Sequence, residues 1–160
     1  MTETQSPAIS LLNAAGAEYE IVPVTLASEN PTAAEFARAM HDQHDSRLYK
    51  TIVLKGDKSG AFVCLVPYEA RINYKQAATA SGNHKCTMLA LDELEGLTGY
   101  QRGACSPLGM KTDLTLLVDA SAKNAKMILV NAGKRSTLLR LSPHTLNSLQ
   151  PFLWVEGLAS

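Results

Sequence analysis

The chain is poor in the residues from which disulfide-stapled, metal-clamped and membrane-spanning proteins are built. Its 160 residues include three cysteines, Cys64, Cys86 and Cys105, odd in number, far apart and without a C-x-x-C pair. A disulfide framework, a zinc clamp and a thiol-exchange pair are excluded on that spacing, and a reducing compartment is expected. No apolar run approaches the ~18 residues a spanning helix requires, and the first residues, MTETQSPAISLL, carry no early lysine or arginine. These absences predict a soluble, cytoplasmic protein with no membrane contact. The H-E-x-x-H, Walker A and G-x-G-x-x-G patterns are missing, as is H-x-E with P-C-x-x-C. His41 and His44 share one predicted helix face, but two histidines in a last helical turn also suit the dipole there, so no metal and no cofactor are expected.

What is present is enough apolar residue, 46%, for a full core in one domain spanning residues 1–160. Lysine plus arginine equal aspartate plus glutamate at 15 each. The zero total conceals a division: residues 1–46 hold seven acids and one base, whereas residues 47–160 hold eight acids and fourteen bases. The later part is the one suited to an anionic partner.

Periodicity predicts a short helix over 8–17, a strand in YEIVPVTL, and a helix opened by Thr32 and Glu35 as a capping box and closed in HDQHDSR. KTIVLK (50–55) and AFVCLV (61–66), on either side of GDKSG, read as a hairpin. A helix over 73–81, a strand over 85–89 and a helical turn in LDELEGL follow. Strands are expected at 115–118 and 126–130, a turn at NAGKRS, a strand in STLLRL and a last helix from Ser142-Pro143, limited by Pro151. Hairpins mixed with singly inserted helices do not fit a doubly wound sheet. The predicted class is α+β, with a curled, mixed, barrel-like sheet and flanking helices.

The segment TGYQRGACSPLGMKTDL, residues 98–114, holds three glycines and a proline and must contain turns with bare backbone. Cys105 or Ser106 there could act as a nucleophile, although no local base is evident and no G-x-S-x-G elbow exists. Bare amides could instead face a phosphate or an oxyanion. Lys50, directly before TIVL, could reach over the sheet end into a cleft, or simply be a solvated strand end. Lys134-Arg135 could hold phosphate, or be an ordinary hairpin tip.

Together, LYKTIVL (48–54), TGYQRGACSPLG (98–109), LLVDAS (116–121) and VNAGKRS (130–136) resemble the YbaK/EbsC family of aminoacyl-tRNA deacylases, related to the editing domain of prolyl-tRNA synthetases. The resemblance implies a free-standing factor that hydrolyses the ester of mischarged transfer RNA, Cys-tRNA(Pro) first, with alanine or serine esters, or a non-catalytic module binding transfer RNA or a synthetase, as alternatives. It makes Lys50, Gly103 and Pro107 catalytic and places Thr51, Ser106, Gly109, Asp119, Asn131 and Gly133 in or behind the substrate pocket, with Cys105 a bystander. It needs no cofactor. In the cysteine-specific members the substrate's own thiol assists.

The same resemblance makes the acceptor end of mischarged transfer RNA the partner, admits a complex with prolyl-tRNA synthetase, and suggests no DNA. Arg71, Lys75, Arg102, Lys111, Lys126, Lys134 and Arg135 are the candidate phosphate contacts. The chain departs from the common family pattern at Asn131 and Ala132, where S-G-G-K-R is usual, and around Val24, where many members carry tyrosine.

Overall fold

In a computed structural model, residues 5–24 and 32–160 are described. The predicted hairpin is the centre of the fold. β2 (Arg47–Gly56) and β3 (Gly60–Pro67) pair antiparallel from Tyr49↔Pro67 to Gly56↔Gly60. Their β-branched and aromatic residues suit a sheet covered on both faces, and Leu54, Phe62, Leu65 and Val66 are all but inaccessible. Each such side chain contributes about 1.5 to 3 kcal/mol through the surface it withdraws from water.

Around this hairpin the chain runs α1 (Pro7–Ala14), β1 (Glu20–Pro23), α2 (Ala33–His44), β2, β3, α3 (Tyr74–Ala80), β4 (Cys86–Met88), α4 (Leu91–Thr98), β5 (Leu116–Asp119), a 3-10 turn (Ala120–Ala122), β6 (Ile128–Lys134), β7 (Thr137–Leu141), α5 (Pro143–Leu149) and β8 (Phe152–Val155). The eight strands form one mixed sheet in the order β1-β7-β6-β2-β3-β5-β8, with β4 on β2. β1 and β8 do not pair with each other, so the sheet is open and not a closed barrel. Two sheet faces are covered by separate helices: α1 sends Ile9 and Leu12 among Tyr49, Val53 and Leu65, while α3 sends Ala77 and Ala78 among Leu54, Phe62 and Cys64. α2 closes a third cluster through Met40, against Leu48, Leu129 and Leu138.

The helix starts follow their sequence signals. Thr32 accepts the Glu35 amide while the Glu35 carboxylate accepts the Thr32 amide, completing the capping box. The residues 30 and 31 read with that cap, and the end of the predicted first strand at 25 and 26, lie outside the described residues. α2 runs on through His41 to His44 and ends on Asp45 in the left-handed region, so HDQH belongs to the helix.

Two expectations change. NAGKRS is not a turn: β6 continues through Asn131 to Lys134, with a bulge between Asn131 and Lys134, and the reversal is confined to Arg135 and Ser136. Beyond Pro151, FLWV forms β8, parallel to β5, where only the end of the helix was foreseen.

One irregularity of the sheet positions the site. On the edge of β2 away from β3, Arg47 and Leu48 pair with Ile128 and Leu129 of β6, and Leu54 to Gly56 pair with β4. Between these ladders no described strand lies beside β2. Val53 gives its carbonyl to the Leu89 amide on this edge, so by strand alternation the Thr51 amide and carbonyl face the same gap.

Candidate active site

A cavity of about 320 Å³ opens where β2 and β6 part, walled by Lys50 and Thr51 of β2, Asn131 of β6, Thr137 and Leu138 of β7, Gly103 and Cys105 of the glycine loop, and Val24, Phe36 and Tyr68. Phe36 and Tyr68 meet edge to face at 5.1 Å and form its apolar side. No aspartate, glutamate or histidine is among its described walls. Among the described residues the site therefore offers a cation, hydroxyls, an amide side chain and backbone, but no carboxylate or imidazole base.

Lys50 is the cation. Partial burial moves its pKa below the ordinary lysine value, and the negative charge of Glu69 partly opposes that shift. Glu69 is itself engaged by Arg47 at 2.8 Å. Thr51 has a hydroxyl oxygen sealed from solvent with no hydrogen-bond partner among the described residues, an arrangement that costs free energy.

The glycine loop is held to β6 by Asn131, whose Nδ2 donates to the Gly103 carbonyl at 3.0 Å and whose Oδ1 accepts the Gly133 amide at 2.8 Å. Gly103 has a φ of +84° at the cavity wall, with open space where a Cβ would stand. Cys105 reaches the same wall, and burial pushes its thiol up to about 11, so it stays protonated and a poor nucleophile at neutral pH.

The other residues predicted for the site stand behind it. Ser106 is fully buried and accepts the Leu108 amide, Pro107 is buried in the loop, and neither reaches the cavity wall. Gly109 lets the loop touch the first turn of α1: a Cβ there would stand 2.6 Å from the Pro7 carbonyl carbon. Gly133 does the same for Tyr100, whose hydroxyl donates to the Leu108 carbonyl at 2.6 Å. Asp119 caps the 3-10 turn at Ser121 and accepts the Ala159 amide at 3.0 Å, tying down the C-terminal residues. These contacts fix the loop and sheet around the cavity.

Of the basic candidates, Arg102 lines a neighbouring cavity, and Lys134 and Arg135 lie beside Ser136 and Thr137 of the first. Arg71, Lys75, Lys111 and Lys126 line neither. Among the described residues, no three histidine, cysteine, aspartate or glutamate side chains converge as a metal site, His41 and His44 included. No described helix is long and apolar enough to cross a membrane. Sequence reasoning missed Phe36 and Tyr68, whose only signal was aromatic character, and the walls from Thr137 and Leu138, which depend on β7 crossing to β6.

The aminoacyl-tRNA editing domain family matches residues 27–149. An Enterococcus faecalis protein named "Putative Cys-tRNA(Pro)/Cys-tRNA(Cys) deacylase EbsC" is 38% identical over 122 residues, 76% of this chain and 74% of that protein. The fold recurs in a crystal structure described as "a putative trans-editing enzyme for prolyl tRNA synthetase", with a TM-score of 0.80, 22% identity and coverage of 98% of this chain and 97% of that one. It recurs again in the hypothetical protein APE2540, at 0.79 and 21%, over 97% and 100% of the two chains. On the family match and the Enterococcus relative together, the chain belongs to the aminoacyl-tRNA editing domain family and is a hydrolase of aminoacyl-tRNA.

Proposed function

We propose that the cavity between β2 and β6 hydrolyses the ester joining cysteine to proline transfer RNA, and that it does so without a nucleophile or base from the protein. The observation that carries this reading is the chemistry of the walls: Lys50, Thr51, Asn131 and the Gly103 loop, with no described acid or histidine beside them. Such a site cannot activate a poor electrophile, but an aminoacyl ester is already reactive, and orientation plus oxyanion donors suffice. Water attacks the ester carbonyl and the ribose hydroxyl leaves with the proton water gives up; for cysteine the substrate's own thiol attacks instead, its proton going to the departing ribose oxygen, and water then opens the resulting thiolactone to free cysteine.

In this reading the Lys50 ammonium anchors the ester and polarises its carbonyl. Loop amides beside Gly103 donate to the oxyanion, each good donor contributing roughly 2.7 to 4 kcal/mol. Asn131 takes the Gly103 carbonyl out of the way and so aims the loop. The apolar walls from Val24, Phe36, Leu48, Tyr68 and Leu138 leave room for a small side chain. Cysteine is placed first because the Enterococcus relative carries that name, with alanine and serine behind it.

Arg102, Lys134 and Arg135 steer the acceptor end, and prolyl-tRNA synthetase is the proposed source of the mischarged transfer RNA, in a ternary complex. The test is deacylation of proline transfer RNA charged with cysteine, alanine, serine or proline. Selective loss of the cysteine ester supports the reading, selective loss of another names a different substrate, and binding without hydrolysis of any ester leaves a binding module.

A further inference from the structure

The glycine loop and the bulge of β6 both rest on one turn, Ser6 to Ala8 at the start of α1. Gly109 lies against this turn: a Cβ there would stand 2.6 Å from the Pro7 carbonyl carbon and 2.7 Å from the Ala8 nitrogen. Gly133 lies against it as well, where a Cβ would stand 3.2 Å from the Ser6 Cβ and 2.7 Å from the Tyr100 ring. Ser6 completes the contact, its hydroxyl donating to the Ala132 carbonyl at 2.6 Å. We propose that Ser6 is a positioning residue for deacylation: through the first turn of α1 it fixes the glycine loop against β6 and so holds the loop amides at the ester. The proposal rests on the editing reading and on the oxyanion role of those amides.

Ala132 and Gly133 fall in the bulge, where the register of β6 with β7 passes from Asn131↔Leu138 to Lys134↔Thr137. Ala132 is fully buried, and a carbonyl buried in so irregular a stretch needs a donor, which the Ser6 hydroxyl supplies. The same oxygen accepts the Ile9 amide at 3.1 Å as the N-cap of α1. Asparagine or aspartate would cap the helix equally well, but only a hydroxyl donates and accepts through one atom. Ser6 is buried, and Ile9 and Leu12 of the same helix are sealed in the main core, so the turn is a fixed support.

From this support the contacts close into a ring. Asn131, next to Ala132, holds the Gly103 carbonyl at 3.0 Å and the Gly133 amide at 2.8 Å. From Gly103 the loop runs to Leu108, whose carbonyl accepts the Tyr100 hydroxyl at 2.6 Å, and then to Gly109 on Pro7 and Ala8. Loop, bulge and helix start each touch the other two, so a shift of the turn is passed to Gly103 along two routes. Lys50 and Thr51 make none of these contacts, which separates the aim of the loop from the anchoring of the ester. α1 lies outside the matched residues 27–149, so the family match assigns it no part in the reaction.

The test compares Ser6→Ala with Ser142→Ala. The second variant removes the same kind of cap, a serine before proline, from α5, where the hydroxyl donates to Thr145 and not to a strand. On proline transfer RNA charged with cysteine, Ser6→Ala should lower kcat at least about fivefold and leave KM within about twofold of the wild type, because Lys50 still anchors the ester. Ser142→Ala should lose a comparable amount of melting temperature and keep kcat within about twofold. In amide NMR spectra Ser6→Ala should shift Gly103 and Gly109, which Ser142→Ala leaves in place. Equal kcat losses in the two variants, an unchanged kcat in Ser6→Ala, a change confined to KM, or amide shifts that stop at Ala132 would overturn the proposal. Should Ser6→Ala prove too unstable to assay, Ser6→Gly removes the same hydroxyl at little cost to the cap and carries the same expectations. Failure of the wild type to cleave any ester would overturn the editing reading, whereas a wild type that cleaves while Ser6→Ala behaves as Ser142→Ala overturns this proposal alone.

Discussion

Asn131 bridges the glycine loop and the β6–β7 hairpin with both ends of one side chain, donating to the Gly103 carbonyl at 3.0 Å and accepting the Gly133 amide at 2.8 Å. The carboxamide is needed for this because one end must donate and the other accept. Asn131→Asp keeps the shape but puts a carboxylate oxygen against a carbonyl. We expect it to lower kcat by at least about tenfold, with a smaller change in KM, because the loop loses its aim at the oxyanion. Single-turnover deacylation measures the effect, and an unchanged kcat would show that the bridge is dispensable.

Gly103 and Gly109 separate aim from support. Both have positive φ, at +84° and +73°, so an alanine at either suffers about 1 to 2 kcal/mol from backbone conformation. At Gly109 the added Cβ also meets the Pro7 carbonyl carbon and the Ala8 nitrogen at 2.6 and 2.7 Å, which are backbone atoms of α1 and cannot swing aside. At Gly103 nothing stands within 4 Å. Gly109→Ala should therefore lower the melting temperature more than Gly103→Ala, while Gly103→Ala should lose more activity per degree of melting. Equal melting losses would contradict the packing argument.

The pH profile distinguishes Lys50 from Cys105. Burial holds the Lys50 ammonium below the ordinary lysine value of 10.5, so activity that needs the cation should fall on the alkaline side before pH 10.5. In that same interval the unfolded chain binds more protons at this residue than the folded one, and its contribution to stability rises with pH. Cys105 is held up to about 11 by burial and should remain a spectator thiol. Cys105→Ser is expected to keep the activity and the profile, measured as kcat/KM against pH, whereas loss of activity in this variant would restore covalent catalysis.

Much of the architecture was legible because local signals and burial agree. The Thr32–Glu35 box, the two runs flanking GDKSG, Gly82 after α3 and Ser142-Pro143 each specify a local conformation that the sheet then accepts. NAGKRS misled because asparagine and glycine favour turns, yet Asn131 and Gly133 serve here in a bulged strand whose glycine admits the Tyr100 ring. FLWV was overlooked because a four-residue strand at the end of a chain is set by its parallel partner β5, a contact invisible locally.

The site divided along the same line. Lys50, Thr51, Gly103 and Asn131 come together at the wall, because the gap beside β2 opens there and the Asn131 bond to the Gly103 carbonyl holds the loop against it. Pro107, Ser106, Gly109, Asp119 and Gly133 belong to the same sequence motifs but make packing and capping contacts behind it. A motif marks a region of chain, and only the fold distinguishes the atoms that face a ligand from those that hold them.

The most direct test of the central claim compares the wild type with Lys50→Ala on proline transfer RNA charged with cysteine. If the ammonium in the β2–β6 cavity polarises the ester, the wild type cleaves it and Lys50→Ala loses at least about a hundredfold in kcat/KM while the fold and melting temperature are retained. Hydrolysis that persists at the wild-type rate in Lys50→Ala would contradict the account and move the chemistry elsewhere in the molecule.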